Sequence, residues 1–145
     1  MKHQLKELLD RSISDLGETK RAVHCESELS LSNAINTLKS NKIGSLVVVE
    51  NSRVVGIFTE RDVLMKCALQ DIPLGTAKIC DYMTKNPVCV QRFETIGNVL
   101  LKMQDGKFRH IIIVDSYGNL EKVVSLREIM DYLMGFFITS ASKAA

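Results

Sequence analysis

The sequence predicts a mixed α/β fold (α+β) made of two pseudo-symmetric strand-helix-strand-strand-helix repeats packed sheet to sheet. An apolar stripe with helical spacing at positions 31, 34, 35 and 38 recurs at positions 96, 99, 100 and 103. A β-branched run at 46–49 recurs at 111–114, again 65 positions later. Two different elements that repeat at one constant offset indicate a duplicated unit.

The remaining elements follow the same duplication. Each copy opens with a short predicted strand, at 22–25 and at 87–90, ahead of the striped helix. The turn after the middle strand is one residue longer in the second copy, so the third strands, 54–58 and 120–124, are 66 positions apart. Closing helices are predicted from their apolar stripes, which begin at Val63 and Ile129. A single copy would leave one sheet face exposed, so we expect the copies to pack together.

These elements set the expected domain boundaries. Residues 1–12 are predicted to form an N-terminal helix that docks through Leu5, Leu8 and Leu9. The first repeat is expected over 13–70 and the second over 79–137. The linker at 71–78 contains a proline and a glycine, and residues 138–145 are expected to be a flexible tail.

Composition narrows the class of protein. The 145 residues carry a net charge of only +2, too small for the basic surface that binds a nucleic acid duplex. No run approaches the 18 or so apolar residues of a membrane span, and the charged N-terminus lacks the apolar stretch of a signal peptide. We therefore expect a cytoplasmic protein that binds neither a duplex nor a membrane.

Enzymatic chemistry is not indicated. The four cysteines, Cys25, Cys67, Cys80 and Cys89, include no CxxC pair, so no zinc or redox motif is predicted. The adjacent His24 and Cys25 point to opposite faces of a strand and are expected to be structural. Because no triad, metal cluster or Walker loop is present in the sequence, we predict no catalytic residue and no metal site.

The strongest candidate for a binding site is the start of each closing helix. Thr59 ends a strand and begins a helix, where unpaired N–H groups attract phosphate, and the Asp62 carboxylate can accept both hydroxyls of a cis-diol. Ser125 and Glu128 occupy the matching positions of the second copy. The alternative is that both pairs are capping boxes, which stabilise a helix start without any ligand.

Four further basic residues have open alternatives. Arg109 and His110 enter the middle strand of the second copy, where they either contact a phosphate or are solvated at a strand end. Arg61 and its counterpart Arg127 are either ligand contacts or surface charge in a first helical turn.

The order of elements, the repeat itself, the stretch GIFTERD at 56–62 and the FRHI stretch at 108–111 resemble a tandem CBS (cystathionine-beta-synthase) domain pair. The resemblance covers residues 13 to about 137. It implies a regulatory module that binds AMP, ATP or related adenosyl ligands in the cleft between its repeats and forms dimers of such pairs.

The resemblance also assigns residues to this site. It places a phosphate or ribose contact at Thr59, the ribose hydroxyls at Asp62, and phosphate contacts at Arg109 and His110, with further contacts near Ile57, Arg61, Val88, Gly44 and Ser45. Lys122 and Glu128 replace the glycine and the aspartate of the pattern in the second copy, so an equivalent second site at Ser125 and Glu128 stays open. The expected function is a metal-independent, homodimeric sensor of an adenine nucleotide (AMP, ADP or ATP) acting on an unknown target protein. The alternative is a ligand-free dimerisation scaffold.

Overall fold

The computed structural model describes residues 1–17 and 22–144. Its elements, in chain order, are α1 (Lys2–Leu9), a 3-10 turn (Ile13–Leu16), β1 (His24–Glu26), α2 (Leu31–Asn41), β2 (Ser45–Glu50), β3 (Arg53–Thr59), α3 (Glu60–Asp62) with a π-helical turn (Val63–Cys67), a second 3-10 turn (Ile79–Asp81), β4 (Thr84–Lys85), β5 (Cys89–Val90), α4 (Ile96–Gly106), β6 (His110–Val114), β7 (Leu120–Ser125) and α5 (Leu126–Ala144). The predicted mixed α/β class is confirmed, and each predicted repeat supplies its strand-helix-strand-strand-helix series.

Chain contacts divide the protein into two compact units. Unit 1 comprises Met1–Lys20, Val88–Asp115 and Glu121–Ala145, and unit 2 comprises Arg21–Pro87 and Ser116–Leu120. The sheet of unit 1 has the strand order β5-β6-β7, and that of unit 2 has the order β1-β2-β3-β4. In both, the short opening strand lies parallel to the middle strand. Each unit therefore contains one copy of the repeated sheet.

The helices that follow the opening strands begin and end in the same way. Ser30 caps α2 by accepting a hydrogen bond from the Asn33 N–H, and Thr95 caps α4 through the Asn98 N–H. Both helices end at a lysine in the left-handed region, one with φ of 51° and the other with φ of 56°. The duplication thus extends to the capping groups.

Each unit has its own apolar core. In unit 2, Phe58 of β3, Leu46 of β2 and Leu31 of α2 are fully buried in one cluster. In unit 1, Ile111 and Ile113 of β6 pack with Ile129 of α5 and the α4 stripe. The two predicted helical stripes and the two β-branched strands therefore supply most of the buried side chains.

The 3-10 turn Ile13–Leu16 opens the first repeat in sequence but lies in unit 1. The turn Ile79–Asp81 opens the second repeat but lies in unit 2. Ile13 donates its N–H to the carbonyl of Glu94 in unit 1, 2.8 Å away. In the same way, the N–H of Ile79 donates to the carbonyl of Leu29 in unit 2, also over 2.8 Å. The boundaries of the two compact units consequently differ from those of the two sequence repeats.

The N-terminal helix packs in unit 1. Leu8 is buried and Leu9 is partly buried against that core, whereas Leu5 is 39% exposed. Gly97 of α4 allows this contact, because a Cβ there would lie 3.3 Å from the Leu9 carbonyl oxygen. Leu8 and Leu9 thus pack on this core, whereas Leu5, one turn earlier on the same face of α1, stays more exposed.

The two closing helices differ in length. α5 has 19 residues and includes positions 138–144, where the sequence predicts a flexible tail. α3 has three residues and passes into a π-helical turn that ends at Cys67. Leu69 then has a φ of 59°, and Pro73 follows four residues later, so the first closing helix stops early. No helix within 1–17 and 22–144 is long and apolar enough to cross a membrane.

Candidate functional site

Thr59 and Asp62 form a capping box at the start of α3. The Thr59 hydroxyl accepts a hydrogen bond from the Asp62 N–H at 3.2 Å, and Asp62 Oδ2 accepts one from the Thr59 N–H at 3.0 Å. The antiparallel pairing of Thr59 with Ser45 fixes the strand end from which the helix starts. The capping alternative for this pair is therefore realised in the structure.

The Asp62 carboxylate has two additional partners. Its Oδ1 lies 3.0 Å from Lys66 Nζ, one helical turn further on, and accepts a hydrogen bond from the Thr84 hydroxyl at 3.2 Å. Asp62 is only 7% exposed, and a buried carboxylate needs such partners to remain charged. Asp62 is thus a buried anion that the surrounding residues of unit 2 already satisfy.

The second copy repeats the box but not the extra partners. Glu128 Oε1 accepts hydrogen bonds from the Ser125 N–H at 3.3 Å and from its hydroxyl at 3.2 Å, and the Ser125 hydroxyl accepts one from the Glu128 N–H. Within the described part of the chain, the buried Glu128 Oε2 has no hydrogen-bond partner. Tyr132 stands where the first copy has Lys66, so the sequence supplies no matching cation at that position.

The residues that enter the middle strands lie beside these helix starts. The Glu60 N–H donates to the Gly44 carbonyl at 3.1 Å in unit 2, and the Leu126 N–H donates to the Arg109 carbonyl at 2.8 Å in unit 1. Ser45 begins β2 and is half-buried. The structure therefore brings Gly44 and Ser45 to Thr59, and Arg109 to Ser125.

The other predicted contacts are dispersed over the two units. Ile57 is buried in β3 and Arg61 is exposed, both in unit 2. Val88, which is 44% exposed, belongs to unit 1, as do the exposed Arg109 and the half-buried His110. Arg61 therefore has the exposure expected of a surface charge.

Gly56 has a packing role. A Cβ at this position would lie 2.2 Å from Sδ of Met83, so the missing side chain makes room for that methionine. The sequence pattern pointed to the glycine but not to Met83, nor to Lys66 and Thr84 around Asp62. Of these three, only Lys66 had a sequence signal, because a lysine four residues after an aspartate on a helix can form an ion pair.

The thiols of Cys25, Cys67 and Cys89 are poorly suited to nucleophilic chemistry. Burial, with a smaller effect of the Glu26 carboxylate, raises the pKa of Cys25 to about 11. Burial likewise raises the pKa of Cys67 and of Cys89. A neutral thiol is a weak nucleophile and a weak metal ligand. Among the described residues, no group of three or more His, Cys, Asp or Glu side chains could hold a metal ion.

Two repeated sheets, each followed by a capped helix with a carboxylate in its first turn, define a tandem-repeat α/β module. The CBS domain family model matches residues 13–68 and again 79–135. The chain belongs to the CBS domain family. It is 32% identical over 134 residues to an uncharacterized 17.7 kDa protein of Acidianus ambivalens, covering 92% of this chain and 79% of that protein.

Solved structures share the fold. A CBS-domain containing protein from Agrobacterium tumefaciens superposes with a TM-score of 0.75 at 29% identity, covering 86% of this chain and 94% of that one. A CBS domain protein from Pyrobaculum aerophilum complexed with AMP gives 0.73 at 22% identity, over 81% and 88% of the respective chains. Some curated relatives are far longer. A CBS domain-containing protein of Arabidopsis thaliana is 29% identical over 66% of this chain, and that match spans only 17% of the Arabidopsis protein.

Proposed function

We propose that this chain is a regulatory module that binds an adenine nucleotide, of the AMP, ADP or ATP type, and passes the signal to a partner protein. The observation that carries the proposal is the buried Asp62 carboxylate, held by Thr59 at the start of α3. The family membership and the AMP bound to the Pyrobaculum aerophilum protein support the choice of ligand.

In this proposal Asp62 accepts the ribose hydroxyls, because a carboxylate can accept two hydrogen bonds from a cis-diol. Thr59, with Gly44, Ser45, Ile57 and Arg61 around it, supplies the remaining contacts from unit 2. Arg109, His110 and Val88, which belong to unit 1, are the other candidate contacts, and the guanidinium of Arg109 suits a phosphate. Ser125 and Glu128 are the candidate residues for a second site.

The proposal includes a cytoplasmic homodimer that needs no metal and catalyses no reaction. A second candidate function is a ligand-free dimerisation scaffold. Two observations favour it: the capping box satisfies Thr59 and Asp62 without a ligand, and Leu64 and Met65 after α3 are each 68% exposed. Exposed apolar side chains of this size are typical of a contact surface.

Isothermal titration with AMP, ADP, ATP and S-adenosylmethionine tests the proposal. We expect saturable binding of at least one nucleotide, weakened about tenfold or more by Asp62→Ala, because the ribose loses charged hydrogen bonds. Ser30→Ala removes a cap of α2 in the same unit and serves as the control for a purely structural effect. Absence of heat with all four ligands, together with a tight dimer, would favour the scaffold.

A further inference from the structure

Lys66 forms an ion pair with the Asp62 carboxylate. Its ammonium lies 3.0 Å from Asp62 Oδ1 and donates a hydrogen bond to the carbonyl of Tyr82, also at 3.0 Å. The Lys66 side chain is 40% exposed, whereas that of Asp62 is 9% exposed. The lysine therefore ends at a buried anion while part of its side chain remains in contact with water.

The acceptor capacity of Asp62 is fully used. Oδ2 accepts from the N–H and the hydroxyl of Thr59, and Oδ1 accepts from Lys66 and from the Thr84 hydroxyl. Two carboxylate oxygens offer about four lone-pair positions in all. A ribose that brings two hydroxyl donors to Asp62 must consequently displace existing donors.

Two of these donors, Lys66 and the exposed Thr84 hydroxyl, can leave Asp62 without opening the start of α3. The Thr59 groups belong to the strand end and the capping box, and moving them would open the start of α3. A partly exposed ammonium can instead rotate into water, where it regains its hydration. Displacement of Lys66 thus frees Oδ1 without disturbing the backbone.

We propose that Lys66 is an internal competitor for the ligand site, which keeps the Asp62 carboxylate occupied until an adenine nucleotide replaces it. This inference rests on the proposed function and adds a way in which ligand binding at Asp62 is regulated. The second copy differs at the matching position, because Tyr132 accepts a hydrogen bond from Arg11 at 3.0 Å and Glu128 Oε2 has no partner among the described residues. The competition is therefore specific to the first copy.

The test is a titration of wild type, Lys66→Met and Lys39→Met with AMP and with adenosine. Lys66→Met keeps the apolar stem and removes the competing charge, while Lys39→Met makes the same change in net charge in the last turn of α2. Adenosine has no phosphate, so its affinity reports the competition at Asp62 without any attraction to the lysine. We expect Lys66→Met to bind adenosine about two- to fivefold more tightly, the range of a partly exposed ion pair, and Lys39→Met to match wild type.

The dependence of adenosine affinity on salt supplies a second readout, in which Lys66→Met serves as the control. Salt screens a partly buried ion pair only weakly, so raising it from about 0.05 M to about 0.5 M should tighten adenosine binding to wild type only slightly and leave Lys66→Met unchanged. Equal or weaker adenosine binding by Lys66→Met than by wild type overturns the inference alone. Failure of adenosine to bind any of the three proteins, together with no binding of AMP, ADP or ATP by wild type, overturns the proposed function and this inference with it.

Discussion

Thr59 and Asp62 hold each other through reciprocal hydrogen bonds, from the Thr59 N–H to Asp62 Oδ2 at 3.0 Å and from the Asp62 N–H to the Thr59 hydroxyl at 3.2 Å. Both side chains are consequently fixed in place before any ligand binds. Such preorganisation lowers the entropic cost of binding. A stabilising cap and a binding role for the same residues are therefore compatible.

Thr59→Ala should lower the free energy of unfolding by about 1 kcal/mol, the usual cost of losing a side-chain cap. Thr95→Ala, which removes the side-chain cap of α4, provides the comparison and should cost no more. Urea unfolding followed by circular dichroism measures both. A Thr59→Ala protein as stable as wild type would contradict the reciprocal box.

Asp62→Asn and Glu128→Gln should differ in cost, although each replaces the carboxylate of its repeat with an amide. In Asp62→Asn the new amide group would point a donor at Lys66 or at the Thr59 N–H, so we expect a loss of about 2 kcal/mol. In Glu128→Gln the remaining oxygen can stay at Ser125, and Oε2 has no partner to lose among the described residues, so the expected cost is under about 1 kcal/mol. Equal losses in urea unfolding would show that the two sites are equivalent.

Gly56→Ala should destabilise unit 2, because its Cβ would lie 2.2 Å from Met83 Sδ. Overpacking of this kind costs about 1–3 kcal/mol. In a Met83→Ala background the same change should cost clearly less, which a double-mutant cycle measures. Additive losses would mean that Gly56 is required for another reason, such as close approach of a ligand.

The Cys25 thiol should lose its proton only at high pH in the folded protein. Its pKa of about 11 means that alkylation by iodoacetamide continues to accelerate above pH 9 in the folded protein, whereas in urea the rate levels off near the ordinary thiol pKa. Folding raises this pKa, so the contribution of Cys25 to stability is present below about pH 9 and is lost as the pH rises towards 11. Peptide mapping after brief labelling measures the rate at Cys25, and equal pH profiles with and without urea would contradict its burial.

The repeated elements were predictable because they depend on local patterns. The stripe beginning at Leu31 and the strand 46–49 fix their own periodicity, and both proved to be buried. The early end of the first closing helix was not predictable from its apolar stripe, which continues to Cys67 and Ala68. The left-handed backbone at Leu69, with a φ of 59°, is a local feature that an apolar period does not describe.

The candidate site was predictable only in part. The residue pairs Thr59–Asp62 and Ser125–Glu128 followed from their spacing, because a capping box is local in sequence. Thr84 lies 22 residues from Asp62, and its hydrogen bond depends on how β4 pairs with β3. A contact between such distant residues has no signal in a single sequence, and neither has the fit of Met83 over Gly56.

Native mass spectrometry of the protein purified from cells tests the central claim most directly, since it reports the mass of a bound ligand and the number of subunits in one spectrum. The account predicts a dimer that carries the mass of an adenine nucleotide, and this added mass should be lost in Asp62→Ala. A spectrum that shows only the bare polypeptide, unchanged after incubation with AMP, ADP or ATP, would contradict it.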